Sequence, residues 1–266
     1  MTAPALTDRT LPTDRMPKTL HVVQDGPVLH VRLDQPEHGN AVTDAMLDDL
    51  LAVLDDQDPA VRVLVLSGAG DDFCLGGDRT EFAGHLDHDP AGGGIRLSGT
   101  KARRVCDALS GNPAVTIARV HGRAVGAGLA LALACDLRVG ADTAVFRLPE
   151  LALGLPVAWG GLLPRLLNEV GAARVRELVL TGRTITAEEA LHLSILQKVT
   201  TEADLDAAVT AWARPVLRRP AAALRVTKAL LQSHTAATRL ADASLLDGEL
   251  MAAVFAETHG TRRGGA

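Results

Sequence analysis

The stretch His121-Gly122-Arg123-Ala124-Val125-Gly126-Ala127-Gly128-Leu129-Ala130-Leu131 decides how the chain is read. It follows a β-rich run, Ala114 to Val120, and continues in small residues to about Ala134, the pattern of strand, turn and helix. Gly126-Ala127-Gly128 begins as a dinucleotide fingerprint does. Leu131, however, stands where the third glycine belongs, and Asp136 follows Gly128 by only eight residues, whereas the ribose-binding acid sits about 20 residues on. A nicotinamide enzyme is set aside on that ground. What remains is physical: small residues at a helix N-terminus bring bare backbone N–H groups and the positive end of the helix dipole close to a ligand oxygen.

Upstream lies a second glycine turn, Phe73-Cys74-Leu75-Gly76-Gly77-Asp78. It comes after Val61 to Leu66, a near-continuous apolar run closed by Ser67-Gly68-Ala69-Gly70 that suits a strand buried on both faces. Alone it is a plain turn. Paired with the first, it brings two backbone N–H donors toward one developing negative charge, the arrangement of an oxyanion hole. Downstream, Glu150 stands between Leu148-Pro149 and the apolar run Leu151 to Pro156. Desolvation there raises a carboxyl pKa into the range of a general base or acid. The plainer alternative is a first-turn glutamate held by a helix dipole. Trp159, beside Gly160-Gly161, either narrows a pocket or packs in the core.

The flanking segments predict an α/β core with a helical appendage. Val22-Val23 and Val28 to Leu33, separated by Asp25-Gly26-Pro27, read as a hairpin. Asn40 to Asp56 has helical spacing, with Thr43 or Asn40 as cap. Residues 84–100, with three consecutive glycines and a proline, read as the loosest loop, and a helix is expected from about Thr100 to Leu109. His85, Asp87, His88 and Asp89 could be drawn as a metal cluster but read as a solvated loop. Leu137 to Val139 and Ala144 to Phe146 read as short strands. Arg165 to Glu257 is mostly helical, with breaks near Gly182 and Pro215 to Pro220. Three units are expected: a flexible leader over 1–19, a core over 20–198 that carries the site, and a C-terminal helical region over 199–266 that serves oligomerisation.

Composition removes other classes. The 266 residues carry 27 Lys+Arg and 32 Asp+Glu, a formal charge of -5, so no clustered positive charge marks a nucleic-acid binder. With four Phe, two Trp and no Tyr, tyrosyl chemistry is excluded and a base-stacking platform is disfavoured. The three cysteines, Cys74, Cys106 and Cys135, show no CxxC spacing, which supports neither a disulfide framework nor a four-cysteine zinc site; Cys74 and Cys135 read as small buried hydrophobes. No metal is expected. No apolar run reaches the ~18 residues of a membrane span, and residues 1–18 lack the apolar core of a signal peptide. A cytoplasmic protein with no membrane or nucleic-acid partner is the expectation.

Together these segments resemble the crotonase superfamily, also called the enoyl-CoA hydratase/isomerase family, over about residues 20–258. Val31-Arg32-Leu33-Asp34-Gln35-Pro36-Glu37-His38-Gly39-Asn40-Ala41 is similar to its entry motif, Phe73 to Asp78 to its F-x-A-G-x-D turn, and His121 to Leu131, completed by Ala134-Cys135-Asp136, to its N-G-x-A-x-G-G-G-x-E-L run. Leu148-Pro149-Glu150 and Gly154-Leu155-Pro156 complete the set. The resemblance implies the crotonase fold, a spiral of ββα turns with a C-terminal helical trimerisation region, and assembly as a homotrimer or hexamer. It implies an acyl thioester whose enolate oxygen is held by the backbone N–H groups of Gly77 and Ala127. Gly76, Asp78, Gly126, Ala130, Pro149 and Trp159 would line the substrate, and Arg79 and Lys228 either reach carrier phosphates or lie as surface charges. No cofactor beyond the CoA carrier is implied. Hydratases of the family use two glutamates; the first position is Ala130 here, leaving Glu150. That pattern resembles the one-glutamate double-bond isomerases. Ala158 stands where dienoyl-CoA isomerases carry an aspartate, which sets that reading aside. A hydratase, a specialised pathway enzyme and a non-catalytic thioester-binding oligomer are the alternatives. The C-terminal sequence departs from the family's usual last helix, so a carrier-protein pantetheine thioester stands beside CoA.

Overall fold

The computed structural model describes residues 17–237 and 246–264, so most of the expected leader lies outside the described residues. In chain order it contains β1 (Leu20–Asp25), β2 (Val28–Leu33), α1 (Asp44–Asp55), β3 (Val63–Gly68), α2 (Arg79–His88), α3 (Gly93–Gly111), β4 (Val115–Val120), β5 (Arg123–Val125), α4 (Ala127–Leu133), β6 (Leu137–Ala141) and β7 (Val145–Arg147). A 3-10 turn over Glu150–Leu153 follows, then α5 (Leu162–Val170), α6 (Ala172–Thr181), β8 (Thr184–Thr186), α7 (Ala187–His192), β9 (Lys198–Thr200), α8 (Leu205–Arg218), α9 (Ala221–Ala237) and α10 (Asp247–Gly264).

The alternation of apolar residues in β2 and the unbroken apolar run of β3 place them in one six-stranded sheet of order β1-β2-β3-β4-β6-β9. The β1–β2 hairpin is antiparallel, and the successive strands from β2 to β9 pair in parallel. A smaller sheet, β5-β7-β8, stands beside it. Isolated bridges Cys74–Ala124 and Val42–Gly77 extend this layer toward α1, so both glycine turns hang from one short ladder. Leu64, Leu66, Ile117, Ala118 and Val120 fill the main core with Met46, Leu47 and Leu50 of α1. Thr43 caps α1 by accepting the Met46 N–H. Leu205, Ala208, Val209 and Ala213 of α8 join the same core.

Residues 84–100 are not a loop. Asp78 caps α2 by accepting the Thr80 and Glu81 N–H groups at 2.8 and 3.0 Å, and Asp89 accepts from Ala91 and Gly93 ahead of α3. Phe82 and Leu86 of α2 and Ile95 of α3 gather with Met251 and Ala252 of α10 into a second apolar cluster. Tertiary packing thus supports helices whose glycine content argues against them. The expected helix from Thr100 starts at Gly93, and the break expected over Pro215 to Pro220 falls at Arg219, with Pro215 itself inside α8. Strands β8 and β9 interrupt the expected helical tail.

Candidate active site

The turn at Gly76-Gly77 is pinned on both sides. Val42 donates to the Gly76 carbonyl at 2.8 Å, Asp78 donates to the Val42 carbonyl at 2.9 Å, and Leu75 donates to the Gly39 carbonyl at 2.9 Å. On the other side, across the bridge to β5, Cys74 donates to the Arg123 carbonyl at 3.1 Å and its own carbonyl accepts the Val125 N–H at 3.0 Å. Asn40 holds the approach: buried, with φ 52°, it donates to the carbonyls of Ala69 and Asp72, each at 2.8 Å. Asp72 in turn takes a two-pronged contact from the Arg123 guanidinium at 2.8 and 2.7 Å, which holds its carboxyl below the usual carboxylate range.

Gly76 has φ +103°, and a Cβ there would lie 3.1 Å from the Val125 carbonyl and 3.9 Å from the Ala127 amide nitrogen. The two glycine turns therefore touch. Neither the Gly77 amide nor the Ala127 amide has a hydrogen-bond acceptor among the described residues, and Ala127 opens the buried helix α4. The chain has placed two unpaired backbone donors side by side at a helix N-terminus, a ready anion site.

Glu150 faces the same place. A Cβ on Gly126 would lie 2.8 Å from its Oε1, its Oε2 is buried with no hydrogen-bond partner, and burial pushes its pKa up to about 7 against a weaker opposing hydrogen bond from its own backbone N–H. The carboxyl tops a 3-10 turn after Pro149. Ala130 is fully buried in α4 and contributes no polar atom. A carboxyl poised near neutrality beside two free N–H donors can exchange a proton with a carbon acid whose oxygen those donors hold.

The other expected site residues are placed as follows. Asp78 serves as the α2 cap. Trp159 is buried in the main core cluster, the second of its two readings. Arg79 is exposed at the start of α2. Lys228 is not a surface charge: it is buried, its Nζ donating to Asp136 Oδ2 at 2.6 Å and to the Ala114 carbonyl at 2.8 Å. An ammonium withdrawn from water needs such internal partners. Cys74, Cys106 and Cys135 are buried and free, with burial pushing each thiol up to about 11 or 12. His85 lies on helix α2, not in a loop. Its Nε2 stands 3.5 Å from Asp44 Oδ2, which Lys101 Nζ also approaches at 3.8 Å. Asp44, Glu81 and His85 bring ligand-type atoms within 4.8 Å of one another, but Lys101 supplies a countercharge and the Asp44 N–H is held by Glu81 at 2.9 Å, so the group ties α1 to α2. Asn40, read from the sequence as a possible helix cap, is a support of the turn instead, and the supporting roles of Asp72, Arg123 and Glu81 were missed by sequence reasoning. An Asn-Ala pair ahead of a helix and the Asp78–Glu81 spacing were their only local signals.

The family model for enoyl-CoA hydratase/isomerase matches residues 24–264. A Mycobacterium tuberculosis protein named "Probable enoyl-CoA hydratase echA6" is 31% identical over 217 residues, 81% of this chain and 83% of its own. The peroxisomal Delta(3,5)-Delta(2,4)-dienoyl-CoA isomerase of Arabidopsis thaliana is 33% identical over 229 residues, 80% of this chain and 81% of its own. Among solved structures, a Thermobifida fusca YX protein in complex with CoA superposes with TM-score 0.76 at 34% identity, covering 95% of this chain and 98% of that one. The fold is that of the crotonase class. The chain belongs to the enoyl-CoA hydratase/isomerase family and is an enzyme of that family.

Proposed function

We propose that the chain moves a double bond in an enoyl-CoA thioester, with Glu150 as its single proton shuttle and the Gly77 and Ala127 amides as the oxyanion hole. One observation carries this reading: a buried carboxyl with an unpartnered oxygen, held near neutral pKa, beside two unpaired amides, while Ala130 offers no second acid. The ionised carboxylate removes a proton from C2 of a 3-enoyl thioester. The electron pair passes into the C–C–O system, and the dienolate oxygen takes the two N–H bonds. The protonated Glu150 then returns the proton at C4, leaving the 2-enoyl thioester. No water is activated, so one carboxyl suffices. Gly76 and Gly126 shape the turns around the reacting carbons, with Pro149 setting the Glu150 turn and Ala130 leaving the space an acid would fill.

The CoA and acetoacetyl-CoA complexes of the Thermobifida fusca proteins support CoA as carrier. Arg79 stays the candidate phosphate contact, and Lys228, already paired inside the protein, does not. The exposed Val226, Leu230 and Leu231 on α9 support assembly as a trimer or a dimer of trimers. Relatives named as hydratases favour a second reading, hydration of the 2-enoyl thioester. Parallel assays separate the two: isomerisation of 3-hexenoyl-CoA without hydration of crotonyl-CoA supports the proposal, and crotonyl-CoA hydration at ~10 per second overturns it in favour of the hydratase.

A further inference from the structure

Phe82 lies directly beneath the Gly77 turn: a Cβ on Gly77 would lie 2.9 Å from Phe82 Cε2 and 3.1 Å from its Cζ. The ring is buried, and it meets Phe255 of α10 edge-on, ring centroids 5.5 Å apart at 64°. These residues belong to an apolar cluster separate from the main core, with Leu86, Ile95, Ala158, Met251 and Ala252. Helix α10 is fixed over it by three contacts of different kinds. Asp247 accepts the Gly161 N–H at 2.9 Å, Arg96 pairs with Glu249 at 2.6 Å, and α10 crosses α3 at Gly248 and Gly99, where a Cβ on Gly99 would lie 2.7 Å from the Gly248 Cα.

We infer that α10 aims the oxyanion turn of its own chain, with Phe255 and Phe82 as positioning residues that press on Gly77 and fix the direction of its amide. The inference rests on the proposed role of that amide. A flat ring under a residue without a side chain transmits displacement directly, because packed interiors yield little. A mis-aimed donor loses much of the 100- to 1,000-fold that one oxyanion hydrogen bond is worth. The segment most distant in sequence from the chemistry thereby sets its electrostatics.

The test uses the full-length chain as wild type, Phe255→Ala, Phe255→Leu and, as a stability control, Val53→Ala in the main core. Two readouts are taken: kcat and KM for 3-hexenoyl-CoA, and the thioester carbonyl stretch of bound butyryl-CoA by infrared difference spectroscopy. The expected result for Phe255→Ala is a kcat about 10-fold lower, with KM within two-fold and a smaller carbonyl downshift than wild type. Phe255→Leu should recover most of both, and Val53→Ala should lower Tm while changing neither. A Phe255→Ala enzyme that loses Tm as Val53→Ala does, yet keeps wild-type kcat and carbonyl frequency, overturns the inference. Absence of any carbonyl downshift in the wild type overturns instead the oxyanion role of Gly77 on which it rests, and the two failures are thus distinguishable.

Discussion

In the proposed reaction the chemistry turns on Glu150, and its environment fixes the sign of two pH effects. Burial raises the carboxyl to about 7, so the active ionised form accumulates only as pH rises through that value. The rate of isomerisation should climb with a limb near pH 7, and Glu150→Gln should lower kcat by about 1,000-fold while still binding acyl-CoA in a calorimeter. Stability runs the other way. A carboxyl whose folded pKa lies above its ordinary value stabilises the fold only while protonated. That contribution is complete below the ordinary carboxylate range and is lost as pH rises through about 7. Glu150→Gln should therefore melt at higher temperature than wild type at pH 8, and the two curves should merge near pH 4. Gly126 is the neighbouring constraint. With φ +50° and a would-be Cβ 2.8 Å from Glu150 Oε1, Gly126→Ala should cost about 1–2 kcal/mol in denaturant titration and at least ten-fold in kcat.

At the scale of elements, Lys228 on α9 joins β4 to the chain after α4: Asp136 Oδ2 receives the Lys228 ammonium together with the N–H and hydroxyl of Thr116. Removing the cation leaves a half-buried carboxylate short of its partner. Lys228→Met should lower stability by about 2–3 kcal/mol yet leave KM for acyl-CoA unchanged; a raised KM at normal stability would restore the phosphate role. The sequence showed what local signals can show. The hairpin of β1 and β2, the Thr43 cap and the turn into α4 carry periodicity, a capping side chain and glycines at fixed places. The candidate roles of Gly77 and Ala127 came from the resemblance, and what brings their turns beside Glu150 is remote: Val42 and Gly39 pin one turn, and Gly126 of the other faces the carboxyl. Helices α2 and α3 were misread because their support is remote: Phe82, Leu86 and Ile95 are covered by α10, more than 150 residues later. Lys228 was misread for the same reason, since its partner Asp136 lies 92 residues away and no local pattern announces a long-range ion pair.

For the whole molecule, one spiral of strands suspends two glycine turns and a buried carboxyl from a short ladder, and the C-terminal helices pack against both the main sheet and the site's apolar backing. The uncovered face of α9 predicts assembly: light scattering should give three or six times the 27.8 kDa of one chain, and the pair Leu230→Glu and Leu231→Glu should yield monomers with unchanged circular dichroism. The central claim is that one carboxyl carries a proton from one carbon to another. It is tested most directly by following 3-hexenoyl-CoA in D2O with wild type and Glu150→Gln, by NMR of the product. The account predicts fast formation of 2-hexenoyl-CoA by wild type, with the proton delivered at C4 and no hydroxyl added, and about 1,000-fold slower formation by the variant. An unchanged rate in Glu150→Gln would contradict it.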